Sequence, residues 1–246
     1  MHLPWATLPS VLLVHGPFAG TSSWAGVLAE LGSAGTDVTA VANPLRGLAI
    51  DAAYVAAVAG RVDGPVLLVG HGYGGAVITA ALAHTDNVVG LVFVAGFALA
   101  EGESCLDVCR EFPATLLIPA LRPATYPGAD GHPAVELYLH RDSFRRVTGT
   151  DLPEPAAAIA TASQRPVAAV AFADTAPAYA GTPPPSWYLV ATMDQLVHPD
   201  AQRFMARRAG AHTVEVQATH ACPTSHPTEV ADLIRTAMRA TVHRRH

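Results

Sequence analysis

Lysine is absent from this 246-residue chain, whose 15 basic residues are all arginine. Without a side-chain amine, Schiff-base and pyridoxal-linked catalysis are excluded, and so is the lysine of a Walker-type phosphate loop. Cysteine is sparse. Cys105, Cys109 and Cys222 show no Cys-x-x-Cys spacing, so neither a disulfide framework nor a cysteine metal or redox centre is expected. Charged residues make up 14% of the chain, the net charge is −5, and no basic stripe exists, which argues against a nucleic-acid partner. Long apolar runs are missing too. The longest, Val88 to Ala100, has 13 residues with two glycines inside it, too few to span a bilayer. Met1 to Pro9 lacks the cationic-then-apolar order of a signal peptide, so a cytoplasmic setting is expected.

Half of the residues are hydrophobic, enough for a sizeable core. They fall in short Val/Leu-rich runs that alternate with Ala-rich stretches of helical length. Ser10 to His15, Asp37 to Ala42, Pro65 to Gly70 and Val88 to Ala95 read as strands. Helices are expected around Ser23 to Leu31, Ile50 to Val62 and Ala76 to His84. The alternation resumes with a strand Ser186 to Ala191, a helix Pro199 to Arg208, a strand Thr213 to Ala218 and a helix Pro227 to Ala240. Strands apolar throughout and joined by helices predict a parallel α/β sheet of about six strands, covered on both faces. Between them, residues 98–184 carry prolines and amphipathic pieces such as Ala134 to Arg145 and Pro155 to Ser163. The expectation is one domain, with a core of 1–97 and 185–246 and a helical lid over 98–184.

The third strand opens into Gly70-His71-Gly72-Tyr73-Gly74-Gly75. Gly70, Gly72 and Gly75 satisfy G-x-G-x-x-G, a dinucleotide fingerprint, but the turn follows the third strand rather than the first. The next strand ends Val94-Ala95-Gly96 without an acid for a ribose, and Glu101 lies too far on. The competing reading is a nucleophile elbow, G-x-S-x-G, with Gly72 where serine would stand. Glycine accepts the strained backbone of such a turn, so the fold survives the change and only the chemistry is lost.

Four segments in order carry a resemblance to the α/β-hydrolases, specifically the small esterase-like and hydroxynitrile-lyase-like branch. They are Val14-His15-Gly16-Pro17-Phe18-Ala19-Gly20 with Trp24, the glycine elbow, Ser186 to Asp194, and Ala218-Thr219-His220-Ala221 with Ser225-His226-Pro227. The resemblance implies the α/β-hydrolase fold, His220 as general base and Asp194 as the carboxylate that orients it. His198 is a weaker rival for the histidine, and Glu101 a backup acid. Two departures follow. Gly72 cannot form an acyl-enzyme, and loss of such a serine costs roughly a millionfold in turnover. Pro17 stands where an oxyanion donor is expected yet has no N–H, a loss worth about 3–4 kcal/mol of transition-state stabilisation. Tyr73 is the remaining expected backbone donor, and Phe18 could serve if the loop is shifted by one residue. Cys222 is expected to face away, and Ser22 and Ser23 to cap the first helix. The expected pocket is lined by His15, Phe18, Trp24, His71, Tyr73 and Tyr138.

Three functions fit these residues. One is a lyase, cyclase or isomerase that moves a proton with the His220–Asp194 dyad on a small, largely apolar natural-product intermediate. Another is a serine ester hydrolase whose nucleophile has been changed to glycine. The third is a non-catalytic ligand-binding module. All imply a small-molecule partner, no cofactor or metal, and a monomer or homodimer.

Overall fold

The computed structural model describes residues 8–128 and 131–242. The N-terminal reading above rests mostly on residues 1–7, which lie outside the described residues. In chain order the elements begin with β1 (Ser10–Val14), α1 (Ala25–Gly32), β2 (Val38–Val41), α2 (Leu48–Ala59), β3 (Val66–His71), α3 (Tyr73–Ala81) and β4 (Val88–Val94). An insertion follows: α4 (Cys105–Glu111), α5 (Leu117–Ala120), β5 (Leu121–Pro127), β6 (Pro133–Leu139), α6 (Arg141–Thr148), α7 (Glu154–Ala162), β7 (Val167–Ala168) and α8 (Val170–Ala173). The chain then returns through β8 (Ser186–Ala191), α9 (Pro199–Arg208), β9 (His212–Val216), α10 (Cys222–Ser225) and α11 (Pro227–Val242).

Six strands pair in the order β2-β1-β3-β4-β8-β9, every pairing parallel. The period-2 alternation of side chains divides each central strand between two cores. Leu12, Val14, Leu68, Phe93, Tyr188 and Val190 face α2, α3, α9 and the insertion. Val11, Leu13, Leu67, Val69, Val92, Val94 and Leu189 face α1 and α11. Burial on both faces is why these strands read as unbroken apolar runs rather than as alternating ones. Fully burying such a side chain contributes roughly 1.5–3 kcal/mol.

The insertion holds helices, as expected, and also a three-stranded sheet β5-β6-β7 that the sequence reading left out. Ala134 to Arg145 is not one amphipathic piece. Its first part is β6, antiparallel to β5 from Leu121↔Leu139 to Pro127↔Pro133, and the helix starts only at Arg141. β5 carries Pro123 and Pro127, which suit an edge, and β5 is an edge strand of this sheet.

The order of the main sheet reverses at β1. From β1 the chain goes to β2 on one side and then to β3 on the other. In open parallel sheets the crevice beyond the carboxyl ends at such a switch point is where ligands bind. Here those ends are the loop after Val14 and the turn at His71-Gly72.

Candidate functional site

At the β3–α3 turn, Gly72 has φ 55° and ψ −124°, a conformation that strains any residue with a Cβ. The carbonyl of Gly72 accepts the N–H groups of Gly75 (3.0 Å) and Phe97 (2.9 Å), which ties the turn to the end of β4. Gly74 is needed for a different reason: a Cβ there would collide with the carbonyl of Val14 on β1. A Cβ on Gly70 would likewise meet the Gly74 carbonyl and one on Gly75 the Phe97 backbone, so the glycines that mimicked a dinucleotide fingerprint are explained by a sharp turn and tight packing.

A Cβ built at Gly72 would lie 2.9 Å from His220 Nε2 and 3.2 Å from its Cε1. The imidazole edge therefore fronts the place of the missing side chain. His220 comes from the loop after β9, is 5% exposed, and donates from Nδ1 to Asp194 Oδ2 at 2.7 Å. Because a carboxylate only accepts, Nδ1 carries the proton and Nε2 presents its lone pair toward Gly72. Asp194, in the loop after β8, is 1% exposed. Besides His220 it accepts from the amides of Leu196 (2.7 Å) and Val197 (3.0 Å) and from Gln202 Nε2 (2.8 Å). Both carboxylate oxygens are satisfied, which lets an anion stay buried without a metal or arginine beside it.

His71, the residue before the turn, packs at a tilt of 39° against His220 with ring centroids 4.4 Å apart and donates from Nε2 to the His220 carbonyl at 2.8 Å. Burial, and then the neighbouring His220, hold its pKa well below the usual histidine range, so the ring is neutral. Its Nδ1 is buried without a partner.

The two loops at the switch point touch. A Cβ on Gly16 would be 2.9 Å from the His71 carbonyl and 3.3 Å from the Tyr73 amide nitrogen. Tyr73 opens α3, where an N–H has no intrahelical acceptor. Its side chain turns away from the loop and donates to the buried Asp51 at 2.8 Å. Pro17 offers no N–H. Phe18, at φ 61°, does not substitute for it: its amide donates to the Arg165 carbonyl at 2.8 Å. The expectation that Phe18 could serve as a donor is therefore corrected, and Tyr73 is left as the free amide of the pair.

A cavity of about 230 Å³ opens in front of His220 and His71. Pro17, Phe18, Gly20, Ser22 and Ser23 form its floor, and Phe144, Thr148, Leu152, Ala156, Ile159 and Ser163 of the insertion form the opposite wall. Besides Tyr73, whose side chain points to Asp51, three expected pocket residues are elsewhere. Trp24 is fully buried among the α1 and α11 core residues and meets His71 edge-on. His15 is fully buried beneath the loop, with Nδ1 on the Gly16 carbonyl and Nε2 3.2 Å from the Arg165 guanidinium. Burial drives its pKa down to about 4. Tyr138 sits on β6, bonded to Glu136 under the Arg122 guanidinium.

Several side expectations are also resolved. Neither Ser22 nor Ser23 caps α1, whose N-cap is Trp24; the Ser23 hydroxyl donates back to the Gly20 carbonyl. Cys222 is buried with its thiol pKa pushed well up, by burial and then by Asp194 and Asp151, which makes it inert. His198 is the N-cap of α9, accepting the Asp200 amide, and Glu101 is exposed on a turn. Among the described residues no group of three or more His, Cys, Asp or Glu could hold a metal ion. No helix of the described residues is long and apolar enough to cross a membrane.

Sequence reading missed Gln202, Arg165, Asp151 and the insertion's wall residues. For Gln202 a signal existed, since it lies eight residues after Asp194 on the inner face of α9. For the others none did, because their partners are distant in the chain.

A parallel sheet wrapped by helices, with a histidine–carboxylate pair and a glycine-framed turn at its switch point, defines the α/β-hydrolase fold. The chain matches the alpha/beta hydrolase family over residues 11–233 and belongs to it. Among solved structures it resembles a pyrethroid hydrolase from Sphingobium faniae JZ-2 (21% identity over 95% of this chain and 98% of that one, TM-score 0.77). It also resembles polyneuridine aldehyde esterase (20% identity, 94% and 99% covered, TM-score 0.78). A third is tomato methylketone synthase I complexed with 2-tridecanone (18% identity, 96% and 99% covered, TM-score 0.77). At these identities the likeness is one of fold. No curated protein matches the chain significantly.

Proposed function

We propose that this protein is a non-hydrolytic enzyme in which the His220–Asp194 dyad transfers a proton on a small, largely apolar carbonyl compound. The reaction is of the lyase, cyclase or isomerase type. The observation that carries the reading is His220 Nε2 standing 2.9 Å from where a Gly72 Cβ would be. With no nucleophile in that space, a substrate carbon or hydroxyl can approach the base directly.

The mechanism follows from the atoms present. His220 Nε2 takes the proton, and the resulting imidazolium is held by the Asp194 carboxylate, whose other bonds keep it in place. The negative charge that develops on a substrate oxygen is met by the Tyr73 amide. A single donor suits an enolate, whose charge is shared with carbon, better than the tetrahedral oxyanion of ester cleavage. Residues 98–184 act as a lid that keeps water from the cavity and returns the proton to substrate rather than solvent. The methylketone synthase bound to 2-tridecanone supports an apolar carbonyl ligand for this fold.

The test is hydrogen exchange at the acidic carbon of an apolar β-keto ester in D2O, followed by NMR above the buffer rate. In His220→Ala the exchange rate should fall by about 10²–10⁴-fold, the usual worth of a positioned base. Exchange by His220→Ala equal to wild type would sink the proposal.

A further inference from the structure

The segment that presents His220 is held from two sides: by His71 and Asp194 at the ends of the main sheet's strands, and by the insertion. Thr219 donates its amide to Asp151 Oδ2 at 3.0 Å and its hydroxyl to Asp151 Oδ1 at 2.5 Å. Ala221, on the other side of His220, donates its amide to the Thr148 carbonyl at 2.8 Å. Asp151 also accepts from the Ser225 hydroxyl at 2.9 Å, and His226 Nδ1 stands 3.7 Å from it. The approach is close: a Cβ on Gly149 would come within 2.9 Å of the Ala221 side chain. The stretch that makes these bonds, Thr148 to Leu152, also contributes Thr148 and Leu152 to the cavity wall.

We propose that Asp151 is a positioning residue: it locks the His220 loop to the cavity wall, so that seating the wall and aligning the base are one event. This rests on the reading of His220 as the base. The Asp151 carboxyl suits the task. Burial would raise its pKa, but the Thr219 hydroxyl and amide and the Ser225 hydroxyl hold it below the ordinary carboxylate range. It is therefore an anion at neutral pH, and charge-assisted bonds to it are roughly twice as strong as neutral ones. An occupant that presses on Leu152 or Thr148 pushes, through rigid bonds, on both neighbours of His220. An empty, loosened wall lets His220 drift from Gly72.

Amide exchange by NMR tests this without knowledge of the substrate. In Asp151→Ala, the Ala221 amide, which does not touch Asp151, should exchange at least about tenfold faster, the equivalent of one lost bond of about 1.4 kcal/mol. The downfield signal of the His220 Nδ1 proton should broaden in the same variant. Asp151→Asn keeps an acceptor for the Thr219 amide and should restore both. Thr219→Val, which keeps the amide bond and removes the hydroxyl, should fall between. If Ala221 stays protected and the Nδ1 signal is unchanged in Asp151→Ala, the proposal is overturned. It is equally overturned if the α11 amides from Val230 to Met238 quicken by the same factor, because the effect is then global stability. Exchange of the β-keto ester by His220→Ala would remove the reading of His220 as the base and leave these amide rates as they are.

Discussion

Replacing Gly72 by serine rebuilds the nucleophile on paper, and the structure specifies what it should yield. A side chain at φ 55° and ψ −124° carries about 1–3 kcal/mol of backbone strain. The new Cβ also arrives 2.9 Å from His220 Nε2, so the ring must move although Asp194 holds it at 2.7 Å and His71 packs against it. At roughly 2–4 °C per kcal/mol for a domain of this size, the melting temperature should drop by about 2–12 °C. Hydrolysis should appear but stay weak, because Pro17 has no N–H and the Phe18 amide is engaged by the Arg165 carbonyl. One missing donor is worth about 10²–10³-fold in turnover. Restoring an N–H in the double variant Gly72→Ser/Pro17→Ala should therefore raise p-nitrophenyl acetate hydrolysis by about that factor over Gly72→Ser alone. The assay is initial rate at 405 nm beside thermal unfolding followed by circular dichroism. Equal rates for the single and double variants would refute the one-donor argument, and an unchanged melting temperature would refute the strain at the turn.

Other perturbations follow from the same geometry. Asp194→Asn leaves a buried amide or the His220 ring with a poor partner, and should destabilise by about 1–3 kcal/mol in urea unfolding, besides abolishing proton transfer. Tyr73→Phe strips the buried Asp51 of a donor and should cost a similar ~1–3 kcal/mol while leaving the Tyr73 amide, and hence activity, largely intact. His15 has a folded-state pKa of about 4 against 6.5 for the free side chain, so the unfolded chain takes the proton first. Its contribution is complete above pH 6.5 and is lost as the pH falls from 6.5 toward 4, on the order of 3 kcal/mol. Urea midpoints between pH 7 and 4 should show this slope, to which the buried His71 adds in the same direction, and His15→Gln should lessen it; an equally steep slope in the variant would assign the effect to other groups.

How much of this was legible beforehand differs by element. β8 and α9 were read with the bounds the structure has, because an all-apolar run and a proline-started amphipathic stretch are local signals. His220, Asp194 and Gly72 were named from motif order and meet as expected. β5 was hidden by its prolines, which lower strand propensity yet are harmless on an edge. The aromatic residues misled more. Trp24 and Tyr138 look like pocket residues by type, but one fills the core and the other lies on the insertion's sheet.

The chain by itself determined the class of fold and the chemistry denied to it. Apolar strands between helices admit few arrangements other than a doubly covered parallel sheet, and no tertiary context can supply an absent lysine or a hydroxyl on Gly72. What only the tertiary structure decided is which groups are already spoken for. The Phe18 amide is committed to Arg165, Thr219 to Asp151, and His71 to the His220 carbonyl. Each pair is far apart in sequence. Which donor meets which acceptor is settled by how the insertion packs on the sheet, and no local pattern of residues encodes that distance.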